Sequence, residues 1–79
     1  MHTSDKPLRY REILQKVKKF GVQEVKRKGV TRILYHSDIQ GKPEFVTMHV
    51  HNEHQVFSRA VIRSIRDRFK ISLEDFYNE

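Results

Sequence analysis

From Glu44 to His51 the chain alternates residue by residue: Val46, Met48 and Val50 share one side, and Phe45, Thr47, His49 and His51 share the other. Successive side chains of an extended strand leave opposite faces, so this run predicts a strand with one covered face and one open face. The aliphatic side is the core side. A strand that is apolar on one side needs partner strands and something to pack on that side.

The rest of the chain supplies both. Val30 to His36 holds Val, Thr, Ile and Tyr, all favoured in strands, and predicts a second strand. Val22 to Arg27 predicts a shorter one, joined to it by a basic hairpin turn of Lys26, Arg27, Lys28 and Gly29. Ser37 to Pro43 contains Asp, Gly and Pro and predicts a loop. Helical periodicity brackets these strands. Tyr10, Ile13, Leu14, Val17 and Phe20 form one apolar stripe, which predicts a helix from Leu8 to Phe20 with Pro7 in its first turn and Gly21 at its end. After a connection from Asn52 to Phe57, Ser58 is placed to cap a second helix with Val61, Ile62, Ile65 and Phe69 as its buried stripe. Ser72 and Asp75 form a minimal capping box before a short helical turn, Leu73 to Tyr77. The expected fold is α+β in the order α-β-β-β-α: a three-stranded antiparallel sheet, two helices on one face, and a short C-terminal helical turn.

Residues 1–79 suit a single domain, with 1–7 as a flexible N-terminus. No run approaches the ~20 apolar residues that a membrane span needs. There is no cysteine, which excludes disulfides, thiolate metal sites and cysteine nucleophiles. Met1 to Pro7 lacks the apolar core of a signal peptide, so the expected location is cytoplasmic. Lys and Arg number 16 against 10 Asp and Glu, a net charge of +6 that favours an anionic partner. No Gly-rich phosphate loop, nucleophile elbow or carboxylate pair is present, so no cofactor is expected.

The order of elements and several short motifs resemble the HicA family of bacterial toxin–antitoxin ribonucleases, which have a fold like the double-stranded-RNA-binding domain. The resemblance runs from Arg11 to Phe76. "REILQKVKKFGVQEVKRKG" is similar to the family's opening helix and first strand. "RKGVTRILYHSD" stands where the family has a Gly-Ser-His stretch, and "VTMHVH" resembles its Val-Thr-Val-Pro-x-His strand. "SRAVIRSIRDRFKISLEDF" resembles its closing helix. The resemblance implies an RNA-binding toxin, an mRNA endoribonuclease neutralised by a HicB-like antitoxin protein. It also exposes a departure. The family's usual catalytic histidine falls two residues after the glycine, and that position is Thr31 here. A threonine hydroxyl does not titrate near neutrality and cannot serve as an ordinary general base. A noncatalytic RNA- or protein-binding module on the same fold is the alternative.

Metal-free RNA cleavage needs a base for the 2′-hydroxyl proton and an acid for the leaving 5′-oxygen, and histidine serves both near its pKa of about 6.5. The candidates are His51, which the resemblance matches to the family's histidine in that strand, His49 two residues before it, and His36 at the end of the neighbouring strand. His2 lies in the expected loose terminus and is set aside. His49, His51 and His54 form a His-x-His-x-x-His pattern able in principle to hold zinc, but no metal site is expected from it. The candidate nucleic-acid-binding residues are Arg59, Arg63, Arg66 and Lys70, one stripe along the second helix, with Lys26, Arg27 and Lys28 at the hairpin and Arg32 on the next strand. A solvated basic face serving a protein partner is the alternative reading of that stripe.

Overall fold

The computed structural model describes residues 4–78. Strand β1 (Leu8–Arg9) leads into helix α1 (Tyr10–Lys18), followed by β2 (Gln23–Lys26), β3 (Thr31–Ile39), β4 (Lys42–His49), β5 (Val56–Phe57), α2 (Arg59–Phe69) and α3 (Leu73–Tyr77). β2, β3 and β4 form an antiparallel sheet in that order, and β1 pairs with β5 in a separate ladder. The architecture is the expected α+β one, with two main helices and a short terminal helix.

The ladder sorts every side chain of the sheet. Arg32 pairs with Met48, Leu34 with Val46, and Tyr35 with Phe45. Leu34 and Met48 are buried and Val46 is half-buried, packed with Ile13, Val17, Ile62, Ile65, Phe69 and Phe76 from the three helices. Val50, just past β4, is buried as well. On the opposite face Val25, Phe45, Thr47 and His49 are exposed, and Ile33 and Tyr35 are half-buried. The alternation in Glu44 to His51 therefore sorts its aliphatic residues inward, as expected.

The first helix begins later than its periodicity predicts. Leu8 and Arg9 are extended and pair with Phe57 and Val56. The connection before β5 also caps the helix: Tyr10 N–H donates to Gln55 O at 2.9 Å and Arg11 N–H to Glu53 O at 3.1 Å. Pro7 thus precedes a strand instead of opening a helix. At the other end Val22 N–H bonds Val17 O and Gly21 N–H bonds Lys18 O, with Gly21 at φ +86°. That pattern needs a left-handed residue, and glycine adopts it without a Cβ clash.

The expected loop from Ser37 to Pro43 is instead a tight hairpin. β3 continues to Ile39 and β4 restarts at Lys42, with Gln40 (φ 53°) and Gly41 (φ 91°) between them. Two positive φ values match the twist of the flanking strands, and Asp38 Oδ1 accepts the Gly41 N–H at 2.8 Å. Pro43 is tolerated because β4 is an edge strand.

In α2 the Ser58 hydroxyl accepts the Val61 N–H, and in α3 Ser72 accepts the Asp75 N–H, as the caps predicted. Val61 does not join the buried stripe; it is 37% exposed, while Ile62, Ile65 and Phe69 face the core. Of the N-terminal residues expected to be loose, Met1 to Thr3 lie outside the described residues. Asp5 and Lys6 are docked: the Arg66 guanidinium donates to both Asp5 carboxylate oxygens at 2.9 and 2.7 Å, and Lys6 N–H donates to the Tyr77 hydroxyl.

Candidate nucleic-acid interface

The β2–β3 hairpin and the end of β4 bring several candidates to one end of the molecule. Thr31 and His49 are direct cross-strand partners. Their Cβ atoms therefore stand roughly 4.5–5.5 Å apart on the open face. Backbone bonds fix this end: Arg27 N–H donates to Thr31 O at 3.0 Å and Val50 N–H to Val30 O at 2.8 Å. Gly29 at φ +74° makes the turn that presents Arg27 and Lys28 to solvent.

Helix α2 runs antiparallel to β4. Its Arg68 lies 3.6 Å from Glu44 near the start of the strand, while Val61 shares a groove with Met48 and His49 near its end. The N-terminal Arg59 is therefore at the Thr31–His49 end too. Among the described residues none of Lys26, Arg27, Lys28, Arg59 and Lys70 is ion-paired. Arg27 and Lys28 thus stand as unpaired cations at the end of the sheet that carries His49, while the Arg59 side chain lies on the other flank of α2, beside Asp5 and Arg63; cations of this kind bind phosphate groups.

The remaining candidates separate from this cluster. His36 pairs with Glu44, five positions along β3 from Thr31 and roughly 16 Å away. It lies on the helix side of the sheet, against Gly21, and its Nδ1 accepts the Asp38 N–H at 3.0 Å. His36, a candidate at the end of the strand beside that of His49, is therefore not brought to it: the two occupy opposite faces and opposite ends. His51 lies beyond the end of β4, in a bend where the strand period no longer operates. Gln55 holds this bend: its Oε1 accepts His51 N–H at 2.7 Å and its Nε2 donates to His49 O at 3.2 Å. Nothing in the sequence pattern marked Gln55, because its role depends on a turn that brings its side chain back onto the chain. His49, His51 and His54 do not converge; among the described residues no three His, Asp or Glu side chains form a metal-holding group.

Two of the candidate cations are structural. Arg32 lies on the helix side, where its Nη1 donates to Gly29 O and Thr31 O, both at 3.1 Å, and its Nε stands 4.0 Å from Glu24. Glu24 also accepts the Tyr10 hydroxyl at 2.7 Å; burial and this neighbouring carboxylate push the tyrosine pKa up. Arg66 is committed to Asp5 and to Ile71 O, with side chains only 12% and 10% exposed for the pair. The guanidinium holds the Asp5 carboxyl below its usual range, and Asp5 in turn raises Arg66. Burial raises the Tyr77 pKa beside them. The stripe along α2 is thus interrupted in its middle. Arg63 stays 74% exposed and pairs loosely with Asp67 at 3.9 Å, while Lys70 projects at the far end.

The arrangement brings unpaired cations to one end of the sheet and sets His49 on its open face, with His51 just beyond the strand. Among the described residues no helix is long and apolar enough to cross a membrane. Comparison with protein-family models, with curated proteins and with solved structures finds no match.

Proposed function

We propose that the chain is an RNA-binding protein of the HicA type, which engages mRNA at the Thr31–His49 end and is neutralised by a HicB-like antitoxin. The observation that carries the reading is the placement of His49 opposite Thr31, where the resemblance puts the family's histidine, at the end of the sheet that also carries the unpaired Arg27 and Lys28. The cations hold phosphates, and His49 is the group positioned to take a 2′-hydroxyl proton. A noncatalytic RNA-binding module is the second reading. It is favoured by His36 lying on the opposite face and at the opposite end from His49, and by His51 lying past the end of β4, outside the strand alternation expected to set it on the same face as His49.

The test is induction of the chain in a bacterial host, with and without the neighbouring reading frame, followed by growth and transcript integrity. Purified protein is then assayed on RNA beside Thr31→His and His49→Ala variants of confirmed fold. The enzymatic reading expects His49→Ala to lower cleavage by a factor on the order of 10² to 10⁴, and Thr31→His to raise it. Cleavage that survives unchanged in His36, His49 and His51 alanine variants rules out histidine chemistry. RNA binding without cleavage by either the parent or Thr31→His selects the binding module.

A further inference from the structure

Strand β4 is the edge of the three-stranded sheet, and its outer side is bare. In an antiparallel pair, alternate residues turn their backbone groups toward the partner strand and the others turn theirs away. Val50 N–H bonds Val30 O, so Val46, Met48 and Val50 face β3. The N–H and C=O of Phe45 and Thr47 point outward. No hydrogen bond from the described residues reaches them, whereas the outward carbonyl of His49 is closed off by Gln55.

Directly beside this row lies a groove of about 380 Å³ between β4 and α2, lined on the helix by Val61, Ser64 and Ile65 and at its end by Phe57. It is open to solvent, and Val61 on its wall is 37% exposed. A row of unpaired main-chain groups is matched by one kind of occupant, the backbone of another extended strand. A strand added there turns every second side chain toward the helix side of the sheet, into the apolar groove. At the end of the groove near the start of β4, Arg68 from the last turn of α2 stands 3.6 Å from Glu44. The chain carries a net charge of +6, so a second copy arrives with like charge.

We propose that the β4 edge and the β4–α2 groove bind an extended, acidic peptide segment of a partner protein, which adds a fourth strand to the sheet. Its apolar residues fall at alternate positions and fill the groove, and its acidic residues complement the chain's net charge of +6. His49 at the end of the groove also belongs to the proposed RNA surface, but the strand pairing does not require that reading.

The full chain is used to select binders from a displayed library of random ten-residue peptides, and the most enriched peptide is synthesised. It should show apolar residues at alternate positions with Asp or Glu between them. On binding, the Phe45 and Thr47 amides should become protected from hydrogen exchange. Thr47→Pro removes an outward N–H that β3 does not use, and Val61→Glu places a charge in the groove from a partly exposed helix position. Each should weaken the peptide by roughly tenfold or more, with circular dichroism and RNA binding unchanged. A selection that yields no alternating acidic sequence overturns the proposal. So does an enriched peptide that binds both variants as tightly as the parent, or leaves the two amides unprotected. A parent that sediments as a dimer, and becomes a monomer in Thr47→Pro, assigns the edge to a second copy and also overturns it. Loss of RNA binding in the parent would sink the proposed function and leave this result untouched.

Discussion

Arg66 shows how one residue type carries different work in different surroundings. By position it continues a basic stripe; in the fold it is a clamp, holding Asp5 and the Ile71 carbonyl against the end of α2. Arg66→Gln is expected to lower stability by about 1–3 kcal/mol, because it leaves a nearly buried carboxylate without its cation. A domain of this size loses roughly 4–8 °C of melting temperature per kcal/mol, which calorimetry resolves. The same substitution should leave the salt dependence of RNA binding unchanged. The pair also sets a pH dependence. The folded Asp5 carboxyl titrates below its ordinary value, so the unfolded chain takes up the proton first as pH falls. Its stabilising effect is complete above the ordinary aspartate range and is lost as pH falls through the lowered folded value. Asp5→Asn should remove that acid-side decline from a plot of melting temperature against pH.

Both main helices end on a left-handed residue. Gly21 ends α1 at φ +86°, and a Cβ there would come 2.9 Å from His36 Nε2. Gly21→Ala is expected to destabilise by roughly 1–3 kcal/mol, and Gly21→Ala with His36→Ala by less, since the backbone strain remains but the clash does not. Urea unfolding of the two variants separates the two effects. At the end of α2 the left-handed position is held by Lys70, φ 56°, with Ile71 N–H returning to Arg66 O. Only glycine adopts that conformation without strain, so Lys70→Gly should stabilise by about 0.5–1 kcal/mol. The expected change is a higher urea midpoint with the same slope.

At the scale of the molecule, the proposed RNA binding is tested by the placement of the unpaired cations. Arg27 and Lys28 lie at the Thr31–His49 end, Arg59 stands on the first turn of α2 beside Asp5 and Arg63, and Lys70 projects from the opposite end of that helix. The triple change of Arg27, Lys28 and Arg59 to Gln should weaken RNA binding and reduce the salt slope by about 0.7–0.9 for each phosphate that is no longer neutralised. Lys70→Gln should leave the slope as it was, measured by titration across a range of salt concentrations. The elements themselves were legible because their signals are local: a two-residue alternation for β4, apolar stripes for α1 and α2, and hydroxyl caps at Ser58 and Ser72. The faces of the sheet followed from the same alternation. What a period cannot carry is the meeting of distant segments. The β1–β5 ladder joins residues 8–9 to 56–57, and it took the first two residues expected of the first helix. Asp5 and Arg66 meet across 61 positions, and Gln55 folds back onto His49 and His51. His36 and His49 look like neighbours on adjacent strands, yet register sends them to opposite faces and opposite ends. Local pattern, set by backbone geometry and burial, determined which elements form; pairing register and long-range hydrogen bonds, which exist only once the chain is folded, decided which side chains share a site.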